Sequence, residues 1–257
     1  MGKDERSGVE VGRAGATVAL AADLHLDPAG DPGQGERLAA LLRLAAERAG
    51  ALYLLGDLFD FWVGRGMERL PAVAHCLQVL ARSPLPLAFL PGNRDFLAPA
   101  GLARVGVAAL PQESPVLAGP GAPWLLLHGD QLLLGDRPYR RARLLLRSPL
   151  VPLAARLVPF SWRWALARQL RRGSERSLAR RAAVPIEPEG RAVAARLRRR
   201  GARALLCGHL HRCARYGPRG EEETTLFVLP PWFRRGEWVL LEEGEVHRLD
   251  GRGKALA

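Results

Sequence analysis

The sequence predicts an α/β fold with a mixed or second sheet at its C-terminal end, from three observations. Short apolar runs alternate with segments of helical period over residues 17–127 and again over 187–207. Five of those runs stop abruptly in Asp, Asn or His, usually with a glycine alongside, as buried strands do when they deliver polar side chains to a sheet edge. After residue 224 the helical period is lost, and three short strands close the chain, the last two as a hairpin around Glu243-Gly244.

In chain order, residues 1–15 are read as a disordered extension. Thr17–Ala22 is the first strand, running into Asp23 and His25, and Asp27–Gly35 is a loop rich in Asp, Pro and Gly. Glu36–Ala49 places Leu38, Leu41, Leu42 and Ala45 at helical spacing, with Gly50 as the stop. Leu52–Leu55 is the second strand, ending in Gly56-Asp57. Met67–Arg82 reads as one helix with Val73, Leu77 and Leu80 on its inner face. Leu85–Leu90 is the third strand, followed by Gly92-Asn93-Arg94-Asp95. Gly101–Pro123 is Pro/Gly-rich and is expected to hold a helix fragment and a strand. Trp124–Leu127 is the fourth clear strand, ending in His128-Gly129-Asp130.

The rhythm then breaks. From Asp136 to Ala183, Leu, Val and Trp alternate with arginines at helical spacing, and Pro149, Pro152 and Pro159 are expected to cut the segment into short helices. It reads as a helical insertion over the site, a lid, leaving 16–135 and 184–257 as the core. Glu187–Arg200 (helix) and Arg203–Cys207 (strand, ending in Gly208-His209-Leu210-His211) resume the pattern. Thr225–Leu229, Trp238–Leu241 and Val246–Leu249 are the closing strands.

With 257 residues, the chain fits one large domain or a core with an insertion. The three cysteines, Cys76, Cys207 and Cys213, form no CxxC pair and leave one over in any disulfide scheme, which favours a reducing cytosol. The N-terminal stretch is charged, the apolar run after it is too short for a secretion signal, and no run reaches the ~18 apolar residues of a membrane span. The net charge is +12, with Lys3 and Lys254 the only lysines. The identity of the cations fits a GC-rich coding sequence, but their placement is uneven: residues 136–200 hold eighteen arginines against Asp136, Glu175, Glu187 and Glu189. That segment should face phosphate groups, an anionic membrane surface or nucleic acid.

Asp, Asn and His are oxygen and nitrogen donors suited to Mn²⁺, Fe²⁺, Zn²⁺ or Mg²⁺. A two-metal centre needs one bridging carboxylate, and Asp57 is the best placed. Asp23 and His25, and likewise His209 and His211, lie two apart at strand ends, so each pair can point one way. Asn93 adds a neutral oxygen. Asp60, Asp95 and Asp130 suit an outer role, accepting from ligand imidazoles or nearby amides. Taken singly, each element has a plainer explanation: a carboxylate after a strand is usually a turn or cap residue, and a lone HxH is usually two loop histidines. Five in order after five apolar runs are not explained by turns. His75, inside a helix, and His247, in the hairpin, are read as structural.

The order D-x-H, G-D-x-x-D, G-N-[HR]-D, H-G-D, G-H-x-H, from Asp23 to His211, resembles the calcineurin-like metallophosphoesterases. Three stretches narrow it: Ala22–Leu26 (ADLHL), Leu55–Gly64 (LGDLFDFWVG) and Gly92–Leu97 (GNRDFL) are similar to the UDP-2,3-diacylglucosamine hydrolases of lipid A synthesis, where Arg94 replaces the commoner histidine. The resemblance implies a layered αββα sandwich of two mixed sheets with a helical lid. It implies one metal held by Asp23, His25, Asp57 and His211, and a second by Asp57, Asn93, His128 and His209. The metals are expected to be two Mn²⁺, activating the water that attacks the α-phosphorus to give UMP and 2,3-diacylglucosamine 1-phosphate. Asn93, Arg94 and His209 would act in catalysis and contact substrate, Arg94 by stabilising phosphoryl charge. Asp136, Tyr139, Arg172, Ser174 and Arg176 would contact the sugar and head group. The expected partners are this nucleotide-lipid and, peripherally, the anionic cytoplasmic face of the inner membrane, with a monomeric chain and no stable nucleic-acid partner. The alternatives are a metallophosphoesterase of the same fold for another phosphodiester, nucleotide or nucleic acid, and a metal-free scaffold. Salt-dependent DNA retention would favour a nuclease. The full ligand set argues against a scaffold.

Overall fold

The computed structural model describes residues 16–31, 33–118, 121–133, 141, 143–144, 147–148, 150–181, 188–217 and 225–256, without the side chains of 150 and 172–181. Eleven strands are defined among them: β1 Val18–Ala21, β2 Ala51–Leu54, β3 Leu87–Phe89, β4 Ala108–Ala109, β5 Glu113–Val116, β6 Trp124–Leu127, β7 Ala204–Cys207, β8 Ala214–Tyr216, β9 Leu226–Val228, β10 Trp238–Glu242 and β11 Glu245–Leu249. The α-helices are α1 Gly33–Ala46, α2 Pro71–Ala81, α3 Pro99–Leu102, α4 Leu150–Leu157, α5 Phe160–Arg181, α6 Gly190–Arg200 and α7 Trp232–Arg235.

Two sheets result, one of six strands in the order β11-β10-β1-β2-β3-β4 and one of five in the order β5-β6-β7-β9-β8. Each is mixed: β1 to β4 run parallel, with β10 antiparallel to β1 and β11 antiparallel to β10, and β6, β7 and β9 run parallel between antiparallel edges β5 and β8. Three apolar clusters fill three interlayer spaces. Leu38, Leu41, Val73 and Leu80 pack α1 and α2 on Leu52 and Leu54 of the first sheet. Leu20, Tyr53, Ala88 and Val239 of the first sheet face Leu126 and Leu206 of the second. Val193 and Leu197 of α6 meet Leu125 and Leu205 on the outer side of the second sheet. A strand covered on both faces must be apolar throughout, which is why β1, β2, β6 and β7 read as unbroken apolar runs rather than alternating ones. The architecture is the expected αββα sandwich of two mixed sheets.

The structure corrects several local expectations. The segment from Met67 is not one helix: a 3₁₀ turn, Met67–Arg69, precedes α2, and Pro71 at the first helical position makes the break. Helix α1 begins within the expected loop, at Gly33, whose N–H is taken by Asp31 Oδ1 at 2.9 Å. Pro152 does not cut its segment, because it lies in the first turn of α4, where the missing N–H has no intrahelical partner to lose. After Pro159, α5 runs uninterrupted for 22 residues rather than as short pieces. Strand β8 and helix α7 carry no sequence signal strong enough to have been expected. The extension 1–15 lies outside the described residues. No helix among the described residues is long and apolar enough to cross a membrane.

Candidate metal centre

The parallel strands of both sheets end at a common edge, and the five predicted elements meet there. The first sheet brings Asp23 and His25 (after β1), Asp57 (after β2) and Asn93 (after β3). The second brings His128 (after β6) and His209 and His211 (after β7). The loops are tied to each other as well as to their strands. His25 N–H donates to Asp57 O at 2.9 Å, Leu26 N–H to Leu58 O at 2.9 Å, and Gly208 N–H to His128 O at 2.9 Å.

Six non-glycine residues among those described have positive φ, and five are Asp23, His25, Asp57, His209 and His211. Left-handed backbone is uncommon for residues with a Cβ, and such strain persists where surrounding structure enforces it, most often at functional sites. The neighbouring glycines are needed for space. A Cβ on Gly92 would overlap the Asp57 carboxylate, and one on Gly56 (φ +82°) would sit 2.5 Å from His128 Nδ1.

Two clusters form, Asp23/His25/His211 and Asp57/His128/His209, each with its donor atoms within 4.8 Å of one another. Asp57 faces both: Oδ2 lies 3.9 Å from His25 Nε2, and Oδ1 lies 3.6 Å from His128 Nε2. Asn93 Oδ1 is 2.9 Å from His128 Nε2. Imidazole nitrogens also approach in pairs, His25 Nε2 to His211 Nε2 at 3.0 Å and His128 Nε2 to His209 Nδ1 at 3.2 Å. His128 Nδ1 must donate to Leu55 O, 2.9 Å away, so in the neutral ring Nε2 presents its lone pair to these oxygens and nitrogens. Asp23 Oδ1 is buried without a hydrogen-bond partner. Lone pairs converging without donors are what a cation relieves, so the residues fit a pair of divalent metals.

The protonation equilibria carry the same demand for positive charge. Burial pushes Asp23 up to about 6, against the pull of His128. Burial would also raise Asp57, but His128, His25 and Arg94 outweigh it and hold its carboxyl below the ordinary range. Burial would lower His128, yet Asp57, Asp23 and Asp130 keep it above its ordinary value. Burial, with the His128 charge added, takes His209 down to about 4. Burial, with His25 added, takes His211 down to about 3, so both rings are neutral donors at neutral pH.

The outer carboxylates have distinct surroundings. Asp95, fully buried, accepts backbone N–H groups of Leu58 (2.7 Å), Gly92 (3.0 Å), Asp57 (3.3 Å) and Phe59 (3.3 Å), so one side chain clamps two of the loops. Burial, with the Asp57 charge, pushes it up to about 7 against those donors. Asp60 Oδ1 lies 3.0 Å from His25 Nδ1, at ion-pair distance but off hydrogen-bond alignment, and its Oδ2 takes Arg171 of α5 at 2.7 Å. Asp130 takes Arg143 at 2.6 Å, with Arg147 at 3.6 Å. Although burial opposes it, His128, His209 and these arginines hold Asp130 down at about 2. Arg147 also donates to Gly92 O at 3.0 Å. The basic segment thus fastens to the carboxylates behind the metal-ligating positions.

Arg94 joins the centre through its backbone, donating N–H to Asp57 Oδ1 at 3.0 Å, and through Nε, 3.5 Å from Asp57 Oδ2. Asp136 and Tyr139 lie outside the described residues; Arg172, Ser174 and Arg176 lie on α5, their side chains outside the description. Sequence reasoning missed Leu55 O, which orients His128, and the arginines on Asp60 and Asp130. It also missed Phe233 of α7, whose ring stands edge-on to both His25 and His211 with centroids 5.2 Å from each. Nothing in Pro230-Pro231-Trp232-Phe233 marks that position. His75 lies on α2 beside α1, 3.8 Å from Glu36, and His247 lies in β11; neither is part of either donor cluster.

A paired Asp/His/Asn donor set at the joint edge of two packed sheets defines a metallophosphoesterase centre. The chain belongs to the calcineurin-like phosphoesterase family, whose profile matches residues 16–213. Among curated relatives, it is 35% identical over 235 residues to the UDP-2,3-diacylglucosamine hydrolase of Pseudomonas paraeruginosa, covering 90% of this chain and 97% of that one. It is 34% identical to the protein of the same name from Edwardsiella ictaluri (89% and 90% covered), and 35% identical to that from Xanthomonas campestris pv. campestris (93% and 98%).

Proposed function

We propose that the protein hydrolyses the diphosphate of UDP-2,3-diacylglucosamine, releasing UMP and 2,3-diacylglucosamine 1-phosphate, with two Mn²⁺ as cofactors. The carrying observation is the pair of donor clusters sharing Asp57. The specificity comes from relatives about 35% identical over about nine-tenths of the chain that bear that hydrolase name. Asp23, His25, Asp57 and His211 would hold one ion, and Asp57, Asn93, His128 and His209 the other. When bound, such a pair activates water and screens phosphoryl charge.

The chain's own residues do the rest. Left-handed backbone, the Asp95 clamp and Leu55 O fix the donors before any ligand arrives. Arg94, beside Asp57 and about one-fifth exposed, can turn its guanidinium from that carboxylate to a phosphoryl oxygen. His209, neutral at physiological pH, suits donation of a lone pair and not of a proton. On this reading residues 136–183 would serve as the lid, and Asp136, Tyr139, Arg172, Ser174 and Arg176 would contact the sugar and head group. Of eight exposed large hydrophobics among the described residues, seven (Leu144, Leu153, Leu157, Val158, Trp162, Leu166 and Leu170) fall in this segment, as expected of a surface that meets acyl chains at a membrane face.

The test is UMP release from UDP-2,3-diacylglucosamine in detergent, with and without Mn²⁺, beside His25→Ala. Metal-dependent release abolished by the substitution is expected. Intact Mn²⁺-dependent cleavage of a generic phosphodiester without UMP release would overturn the substrate and keep the centre.

A further inference from the structure

A groove of about 470 Å³ lies on the outer helical layer of the first sheet, between α1, α7 and the turn after β11. That volume is in the range of small-molecule sites, roughly 300–1,000 Å³. Its floor is apolar, from Leu41 and Leu44 of α1. Its rim carries four guanidinium groups, Arg37, Arg234, Arg235 and Arg252. All four arginines are exposed, and none has an ion pair among the described residues. The single carboxylate of the lining, Asp250, accepts the backbone N–H groups of Arg252 and Lys254 at Oδ1, both at 2.8 Å. Four exposed cations without an ion pair among the described residues, arranged around a concavity, form a receptor for a multiply charged anion.

The groove is also wired to the metal centre. Trp232 and Phe233 hang from the loop after β1, Trp232 N–H on Ala22 O at 3.0 Å and Phe233 N–H on Asp23 O at 3.3 Å. Arg37 lies over the Trp232 ring at 5.6 Å and Arg234 over the Phe233 ring at 5.7 Å. Phe233 in turn touches His25 and His211. An anion drawing these guanidiniums inward would act on Trp232 and on Phe233, the aromatic ring that stands against one donor cluster.

We propose that this groove is a second ligand site, distinct from the metal centre, for a phosphate-bearing small molecule or the phosphate of a lipid head group. The test is calorimetric titration of the Mn²⁺-loaded full chain with glycerol 3-phosphate. Two events are expected in the wild type, one at the centre and one at the groove. His25→Ala should remove the first and keep the second. Arg37→Glu/Arg235→Glu should keep the first and weaken the second by about tenfold or more, the effect of losing one good charge-assisted contact. Arg198→Glu, on the far layer, should change neither. Retention on phosphatidylcholine vesicles containing one-quarter phosphatidylglycerol, lost with the same pair, would assign the phosphate to lipid. Glycerol 3-phosphate binding without such retention would assign it to a soluble molecule. The proposal is overturned if every binding event disappears with His25→Ala, or if the Arg37/Arg235 pair can be reversed in charge with no loss of binding to either probe.

Discussion

The strand-end loops and the helical segment 150–181 use the same kinds of residue, apolar side chains beside charged ones, in opposite ways. In the loops, carboxylates and imidazoles are tied to one another, five of them in left-handed backbone, with Asp23, Asp57, Asp95 and His128 almost wholly inaccessible. In α5, one stripe (Phe160 and Trp164, the latter against Phe61) is docked on the core. The next stripe (Trp162, Leu166 and Leu170) is exposed at 73%, 56% and 61%. The loops hold donors in place against strain and desolvation, which is how a catalytic centre is preorganised. The helix holds apolar surface open, which is how a surface waits for a ligand. On the proposed function, chemistry and selectivity fall in separate parts of the chain, tied together by Arg143 and Arg147 on Asp130 and Arg171 on Asp60.

That division can be broken experimentally, and the largest effect should come from Asp57→Ala. Because Asp57 faces both clusters, its loss should lower turnover on any phosphoester by more than the roughly 100-fold that an outer partner commands, with loss of bound metal in the same preparation. Turnover within threefold of wild type would mean the clusters do not share a carboxylate. Asp60→Asn should cost about 10- to 100-fold in metal affinity, since it removes the charge behind His25 while sparing every ligand. Arg171→Ala should move the same quantity in the same direction if the helical segment supports the centre through Asp60. An unchanged affinity would make that contact mere anchorage.

Much of this was legible in the sequence because the physics of a doubly covered strand is local. Leu52–Leu55 must be apolar throughout, and the Gly56-Asp57 that follows can only be an edge. Repeating that inference five times gives an α/β core and brings Asp23, His25, Asp57, Asn93, His128, His209 and His211 to strand ends, while the αββα layering comes from the family resemblance. What was not legible depends on distant partners. Helix α7 has four residues and no amphipathic period, and it exists because Trp232 and Phe233 donate to Ala22 O and Asp23 O, more than 200 residues away in sequence. The prolines do not cut the segment as their spacing suggests, because Pro152 lies in the first turn of α4 and Pro159 immediately precedes α5, places where helices tolerate them. That Asp95 would clamp four amides is a property of loop packing, which no spacing records.

The comparison is sharpened by reversing the exposed stripe. Trp162→Asp/Leu166→Asp should leave hydrolysis of a short soluble phosphodiester within about twofold. It should lower turnover of the proposed diacyl substrate by about 10- to 30-fold, the loss expected when two half-buried apolar contacts worth about 1 kcal/mol each disappear. Equal losses on both substrates would place the stripe in the folding of the core instead.

The smallest effect separates the centre's own electrostatics from everything the helices add. Burial raises Asp23 from its ordinary 3.8 to about 6, so the folded metal-free chain binds this proton more tightly than the unfolded chain does. On that account the carboxyl costs stability at neutral pH and costs less as pH falls through about 6. Metal requires the ionised form and therefore competes with that proton. The thermal shift produced by saturating Mn²⁺ should be full near pH 7 and shrink below about pH 6. The apparent affinity should fall by about tenfold at pH 5 from this group alone. Asp23→Asn should remove that step while leaving the Asp57 cluster able to take an ion. A metal-induced shift that stays level from pH 7 to pH 5 in the wild type would mean Asp23 is not a ligand, and its carboxylate would then serve to accept His209 N–H at Oδ2, 2.8 Å away.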